Sequence, residues 1–451
     1  ECFSYIVETI DAAILDLPER VLGNNDLGRI DQVIAKSIKA KVLLYSASPL
    51  FNGNTSLYSN FINTNGEHFF NQTYENSKWD LAAEATKEAI EAAIAQGVSM
   101  YYFTETMPDY DKNNSQYEFI RNQYDNRYAI TDPWNSELLW GNSSPVTNGQ
   151  YWQIQSPAMM KDPSSSSVEA AWQWLAPSLR MAETYYTKNG LPIDEDLSFA
   201  YSERYRIATI AFNQRFYAQF ANRTAKLNLN REPRFYASLG FDRGLNRTWG
   251  GLWKLKMRKG ETHGRRANTG DYLVTGYALK KLVHQDSEGD TYNKAITYPW
   301  PMIRLSELYL MYAESLNESS GPSLEVYDAL NEIRQRAGIP SVQDAWSNAT
   351  FAATPNKHLS QEGLREIIQQ ERMIELAFEG HRYYDIRRWK LAEKYFTTPI
   401  KGWSVDEDSE ANYYQIMEVS QRSFRSPRDY FQPISFTELS RNPNLIQNPG
   451  W

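Results

Sequence analysis

The sequence predicts a mainly α-helical protein of paired helices that carries a large, irregular, loop-rich insert and minor β structure. Three observations lead there. Near both ends of the chain apolar residues recur at three- and four-residue steps, the period of a helix with one buried face. Residues 98–166 are instead rich in Tyr, Asn, Ser, Asp and Trp and show no sustained helical period. Residues 230–300 hold short alternating runs, such as 234–241, bounded by Gly, Asn and Asp, which read as minor strands and loops. The chain therefore divides into a helical scaffold over 1–97, an insert over 98–300 and a second scaffold stretch over 301–451.

In order along the chain, Phe3, Ile6, Val7, Ile10 and Ile14 make a helical stripe, which places Cys2 inside a helix rather than at a lipid attachment point. Ile30, Val33, Ile34, Ile38, Val42 and Tyr45 give a helix over 29–47, closed by Pro49. Ser77 and Asp80 form an S-x-x-D start signal for a helix over 78–96 that turns Trp79, Ala82, Ala83, Ile90, Ala93 and Ile94 inward and stops at Gly97. The Ala-rich faces of these two helices permit close antiparallel packing. The connection over 50–76, rich in Asn, Thr and Phe, is long enough to read as a surface loop.

Within the insert, Val168, Ala171, Trp172, Leu175, Leu179 and Ala182 return to a helical pattern over 167–187, broken or kinked at Pro177. A second helix pair follows Pro301. Leu305, Leu308, Tyr309, Tyr312 and Leu316 mark its first member, Gly321-Pro322 breaks it, and Val326, Leu330, Ile333 and Ala337 mark the second, closed by Gly338 and Pro340. The unit has the size of a tetratricopeptide repeat without that repeat's sequence pattern.

The stretch that organises the rest is 361–389. Leu364, Ile367, Ile368, Ile374 and Phe378 share one helix face, Ser360 can cap its start, and Gly380 suits a left-handed stop. Gly363 is out of place there, because a capping box would want Glu or Gln. Glu371 lies on the apolar stripe, followed by Glu375 and Glu379 at four-residue steps. A carboxylate pointed into a core needs a partner, and Arg372, Arg382, Arg387 and Arg388 are near in sequence. An acid/base pair at Glu371 and Glu375, or a metal held by Glu379, His381 and Asp385, are the chemical alternatives. The abundance of Arg and the lack of zinc-ligand spacing favour a buried ion-pair cluster.

The run ERMIELAFEGHRYYDIRRW (371–389) strongly resembles the hallmark of the SusD/RagB family, surface lipoproteins that capture nutrients beside TonB-dependent transporters. Further agreement lies over 29–53, 182–196, 230–244, 298–318 and 430–451, so the resemblance covers essentially the whole chain. It implies a SusD-like fold of tetratricopeptide-like helix pairs, no catalysis, glycan binding on loop-borne aromatics of the insert, and a SusC-like transporter as partner. It also implies the surface of the outer membrane of a Gram-negative bacterium. The lipid anchor and the first helix pairs are expected upstream of residue 1.

Composition narrows the alternatives. A formal charge of −8 argues against nucleic acid, which needs a basic face. A single cysteine forbids internal disulfides, and no apolar run reaches the length of a membrane span. There is no GxSxG, HExxH, CxxC, Walker or GxGxxG motif, and the five histidines are scattered. An aromatic content of 14%, with 30 Tyr and 13 Trp, tilts the reading toward carbohydrate, because flat rings suit the C–H faces of sugars. A pure helix-repeat interaction scaffold, a binder of a non-glycan nutrient such as peptide, and a glycoside hydrolase stand as alternatives.

The candidate binding platform is Tyr128, Trp134, Trp140, Tyr151 and Trp152 with Arg127, interleaved with amides and acids that suit hydroxyls. Each ring could equally pack the insert on the bundle. Trp249 and Trp253 rank second. No cofactor is expected, apart from a calcium candidate at Asp109, Asp111 and Asn113, whose alternating oxygens suit the ion although the closing Glu is misplaced.

Overall fold

Helices α1 (Cys2–Ile14), α2 (Gln32–Ala47) and α3 (Ser77–Ala95) open the chain, with α2 packed against both of its neighbours. The structure is a computed structural model and describes residues 1–112, 114–143, 153, 172–248, 251–265, 270–287 and 295–451. Asp31 caps α2 by accepting from the Ile34 amide at 2.9 Å. The S-x-x-D signal is off by one residue. Ser77 already lies in α3, and Asn76 precedes it with helical dihedrals and no side-chain cap. Ala82, Ala85, Ala89 and Ala93 are buried, so the absence of side-chain bulk is what brings α3 close to α2.

The insert departs from its sequence reading in two ways. Residues 117–131 form a helix, α4 (Tyr117–Thr131), where no apolar period announces one. Its buried side includes Gln123, Asp125, Asn126 and Arg127, so polar groups satisfied inside the protein erase the usual signal. Conversely, among the described residues of the 167–187 pattern the helix is confined to α5 (Leu179–Thr184), with Ser178 accepting from the Met181 amide as its cap. The run over 234–241 is mostly helix α6 (Pro233–Ser238), every residue of which is buried, so it shows no one-sided stripe.

The second scaffold stretch follows expectation. Helix α7 (Leu305–Ser320) touches α3, α8 (Leu324–Ala337) and α9 (Gln361–Glu375), and α10 (Arg382–Arg388) follows. Gly338 ends α8 at φ 71°, a left-handed position. Ser360 caps α9 by accepting from the Gly363 amide at 3.1 Å. A Cβ on Gly363 would lie 2.1 Å from the Lys357 carbonyl oxygen, which explains the glycine in the capping-box position. Leu44, Trp79, Leu308, Leu330, Trp346, Leu364 and Ile367 belong to one apolar core, which joins both scaffold stretches.

Strands are short and pair two by two, all antiparallel, among the described residues. They are β1 (Leu138–Asn142), β2 (Ile207–Thr209), β3 (Arg223–Ala225), β4 (Leu239–Phe241), β5 (Leu245–Thr248), β6 (Gly251–Lys254), β7 (Tyr277–Leu279), β8 (Trp300–Arg304), β9 (Ile400–Trp403) and β10 (Ile416–Ser420). The ladder that matters for the site is β1–β8, which sets Trp140 opposite Ile303 and Asn142 opposite Trp300. No helix among the described residues is long and apolar enough to cross a membrane.

Candidate functional site

The signature helix ends in a dense network of buried charges. Glu371 meets Arg334 at 2.9 Å and Arg234 at 2.6 Å, all three buried. Glu375 meets Arg304 at 3.2 Å and Arg234 at 3.3 Å, and also Arg336. Burial alone would raise the Glu375 carboxyl, but Arg336, Arg304 and Arg234 outweigh it and hold it well below the usual carboxylate range. Arg372 joins Asp385 at 2.8 Å and Glu307 at 3.3 Å. Arg388 reaches Asp385 at 2.8 Å and clamps Glu314, whose Oε1 also accepts from the Trp389 indole at 2.7 Å. Sequence proximity pointed to the wrong partners for Glu371 and Glu375, because their arginines come from α6, α8 and β8.

Arg382 and Arg387 stand outside this network. Asp385, the nearest carboxylate in sequence, is already taken by Arg372 and Arg388. The Arg387 guanidinium lies 3.5 Å from the Tyr383 ring centroid, and Arg382 lies 4.5 Å from that of Tyr395.

Beside the turn that follows α9 an open cleft of about 380 Å³ is lined by Tyr45, Trp300, Pro301, Met302, Tyr384, His381 and Lys41, with Glu379 and Gly380 at its floor. Three separate elements supply the rings: the last turn of α2, the start of β8, and α10. Tyr384 is more than half exposed, and Met302 is also exposed. Burial pushes the Tyr45 hydroxyl up to about 12, with Arg388 opposing, so it is a neutral donor at physiological pH. Glu307 draws in both polar edges of the cleft, meeting Lys41 at 2.9 Å and His381 Nδ1 at 3.3 Å. Burial lowers the His381 imidazole, against the attraction of Glu307. Trp300, Tyr384 and Tyr45 stood in plain sight in the sequence, but only the β1–β8 ladder and the turn at Gly380 reveal that they converge.

None of the described residues of the ring platform expected from the insert lines this cleft. Trp140 is half-buried against the scaffold core and donates from Nε1 to the Gly28 carbonyl at 3.2 Å. Trp134, at φ 52°, lays its ring on the ladder, with Cζ3 3.0 Å from where a Gly141 Cβ would stand. Tyr128 packs on Phe103 at 5.0 Å between centroids and meets the edge of His284 at 5.4 Å. Arg127 and Trp253 are interior residues, 2% and 6% exposed, which removes both from any surface platform. Arg127 donates to the Val283 carbonyl at 2.8 Å, a bond that fastens α4 to the loop after β7. Tyr151, Trp152 and Trp249 lie outside the described residues. A ring pair that the helical reading concealed is Trp172 and Trp174, 5.0 Å apart, with Trp174 exposed and its indole donating to Asp271 at 2.7 Å.

At the calcium candidate, Asp111 is buried, receives the Arg247 Nε at 2.7 Å and accepts from the Tyr124 hydroxyl at 2.8 Å. That guanidinium already supplies the positive charge a cation would bring. Asp109 is paired with Lys112 at 3.0 Å, and Asn113 lies outside the described residues. Among the described residues no group of three or more His, Cys, Asp or Glu side chains stands close enough to hold a metal.

The chain is similar in sequence and fold to known proteins. SusD-like protein P2 of Formosa agariphila is 36% identical over 150 residues, which span 33% of this chain and 25% of that protein. This chain thus matches about a quarter of the length of that curated relative. The solved structure of BT4246 superposes with a TM-score of 0.83 at 30% identity, over 100% of this chain and 76% of that one. A SusD-like carbohydrate binding protein (BF0978) from Bacteroides fragilis gives a TM-score of 0.62 at 20% identity, over 98% of this chain and 70% of that one. The sequence pattern of the SusD family matches residues 136–451, more than half of the chain, and the chain belongs to that family.

Proposed function

We propose that this chain is a non-catalytic glycan-binding subunit of an outer-membrane nutrient uptake complex, holding oligosaccharide or polysaccharide for a SusC-like TonB-dependent transporter. The observation that carries this is the cleft, in which Tyr45, Trp300 and Tyr384 surround one opening with Lys41 and His381 at its polar edge. Rings of this kind accept the C–H faces of a sugar, and the polar edge meets its hydroxyls. The volume falls within the usual range of small-ligand sites, about 300–1,000 Å³.

Binding without bond cleavage fits the carboxylates. A glycosidase needs one carboxyl free to donate a proton and another free to attack or activate water. Glu379, which borders the cleft, is held by Arg304 and Lys281, and Glu307 by Lys41 and Arg372. Family membership supports the transporter partner, the outer-membrane location and a lipid anchor. The description of BF0978 supports carbohydrate as the ligand class.

The test is titration of neutral and acidic oligosaccharides and of peptides against intrinsic tryptophan fluorescence, with wild type and Trp300→Ala in parallel. A saturable change with at least one glycan, shifted to about tenfold weaker binding in Trp300→Ala, is expected. Silence across the saccharides with a response to peptides would replace the glycan reading, and silence throughout would leave an interaction scaffold.

A further inference from the structure

The turn at Gly380 has a second cavity on it. Gly380 lines both the aromatic cleft and a larger space of about 540 Å³, into which Arg180, Arg382 and Arg422 project around Tyr395, with Met373 and Phe396 beside them. The Arg180 and Arg382 guanidiniums each lie 4.5 Å from the Tyr395 ring centroid. Arg422 donates to the Tyr395 carbonyl at 3.1 Å and lies 5.1 Å from the Phe396 ring. Tyr395 thus holds three guanidiniums in one place.

This cluster brings three guanidiniums together with no counter-charge, whereas Arg127 and Arg231, also buried without a carboxylate, donate to backbone carbonyls. The buried arginines Arg234, Arg304, Arg334, Arg336, Arg372 and Arg388 each meet at least one carboxylate. Among the described residues no carboxylate pairs with Arg180, Arg382 or Arg422. Of the acids close by, Glu183 is committed to Arg204 and the Tyr205 hydroxyl and Asp385 to Arg372 and Arg388, while Asp194 shares an adjoining hollow with Arg180 and Arg382 without an ion pair to either. Arg382 instead donates to the Met373 sulfur, a weak acceptor. Arg180 Nη1 and Arg422 Nε are shut off from solvent with no hydrogen-bond partner. Burial lowers Arg382, and Arg180 and Arg422 lower it further against Tyr395.

Buried guanidinium donors left empty are costly, and three like charges sharing a cavity add repulsion. An oxyanion in the cavity relieves the repulsion, because guanidinium forks fit carboxylate and sulfate oxygens with short, charge-assisted bonds. We propose that this cavity receives an oxyanion carried by the ligand, a uronate carboxylate or a sulfate ester on a sugar, next to the ring-lined cleft. The assignment rests on the glycan reading above for the sugar, but on the three arginines alone for the anion.

The experiment measures binding of matched saccharide pairs by calorimetry: alginate oligosaccharide against its carboxyl-reduced form, and sulfated galactan against its desulfated form. Sodium glucuronate and sodium sulfate serve as bare anions. Wild type is expected to bind the acidic member of one pair at least tenfold more tightly, the responding pair identifying carboxylate or sulfate. Arg180→Gln with Arg422→Gln should abolish that preference while leaving the neutral member's affinity unchanged. If the double variant does not fold, Arg422→Gln alone should reduce the preference. Equal binding of both members of each pair, unaffected by the substitutions, with no response to either bare anion, overturns the anion site and leaves the glycan reading standing. Arg-dependent binding of the bare anions with silence from every saccharide supports the anion site and overturns the glycan reading.

Discussion

Arg304 and Glu379 meet through two hydrogen bonds, Nε to Oε2 at 2.9 Å and Nη2 to Oε1 at 2.8 Å. This fork joins the end of β8 to the turn after α9. Trp300 stands at the other end of β8, and Tyr384 stands one turn beyond Glu379. The two walls of the aromatic cleft are therefore fastened to each other through a buried charge pair. Removing the carboxylate in Glu379→Ala breaks this fork and leaves the buried Lys281 ammonium with backbone carbonyls alone, while Arg304 keeps Glu137 and Glu375, and should cost about 3 kcal/mol of stability. Saccharide affinity should fall in the same variant, although Glu379 need not touch ligand. Urea unfolding and fluorescence titration check the two outcomes separately.

Glu371→Ala tests the network at a point away from the cleft. Arg334 and Arg234 would lose a shared, fully buried carboxylate, and a loss of about 3–5 kcal/mol is expected in urea unfolding. Arg334 keeps its bonds to the Gly190 and Pro340 carbonyls at 2.8 Å and 2.7 Å, so the fold should survive in weakened form. An unfolding midpoint that does not move would refute the ion-pair assignment.

Trp140→Ala and Trp300→Ala should separate cleanly. Trp140 packs on the scaffold core and bonds the Gly28 carbonyl, so its loss should lower stability by about 3 kcal/mol through cavity formation. Trp300 faces the cleft, so its loss should weaken saccharide binding about tenfold, which corresponds to about 1.4 kcal/mol. Melting temperature and dissociation constant measured on both variants decide the matter; the reverse pattern would return the site to the insert.

The scaffold was legible because its helices obey one-sided periodicity, as in α2, α7 and α8, and because caps such as Ser360 stand at their starts. The insert was not, for a physical reason visible at α4. There Gln123, Asp125, Asn126 and Arg127 are buried, and Asp125, Asn126 and Arg127 bond to distant backbone groups at Phe103, Arg336 and Val283, so polarity no longer reports exposure. Residues Pro233–Ser238 conceal their helix differently, by being buried all round. The cleft was beyond reach because Tyr45, Trp300 and Tyr384 belong to elements whose adjacency depends on the β1–β8 ladder and on arginines more than 60 residues from their carboxylates, such as Arg304 and Glu379. Gly363, an apparent misfit at the start of α9, is made obligatory by the close Lys357 carbonyl.

The network also fixes how acid acts on the fold. Arginines hold the native Glu375 carboxyl well below the usual range, whereas an unfolded Glu titrates near about 4.3. Above that pH the group is ionised in both states, and its contribution to stability does not change. As pH falls through about 4.3 the unfolded chain takes up a proton that the native chain refuses, so the unfolded state gains and the contribution shrinks. Asp125 acts with the opposite sign, because burial raises its carboxyl to about 6 in the native state and its contribution is lost as pH rises toward that value. A simple acid titration of the protein would mix the two. Comparing wild type with Glu375→Gln removes the ambiguity, since Asp125 is common to both. The stability advantage of wild type over Glu375→Gln, from urea unfolding between pH 7 and pH 3, should be level above about pH 5 and fall progressively below it. An advantage that stays level or grows on acidification would mean that Glu375 is not held ionised by Arg336, Arg304 and Arg234.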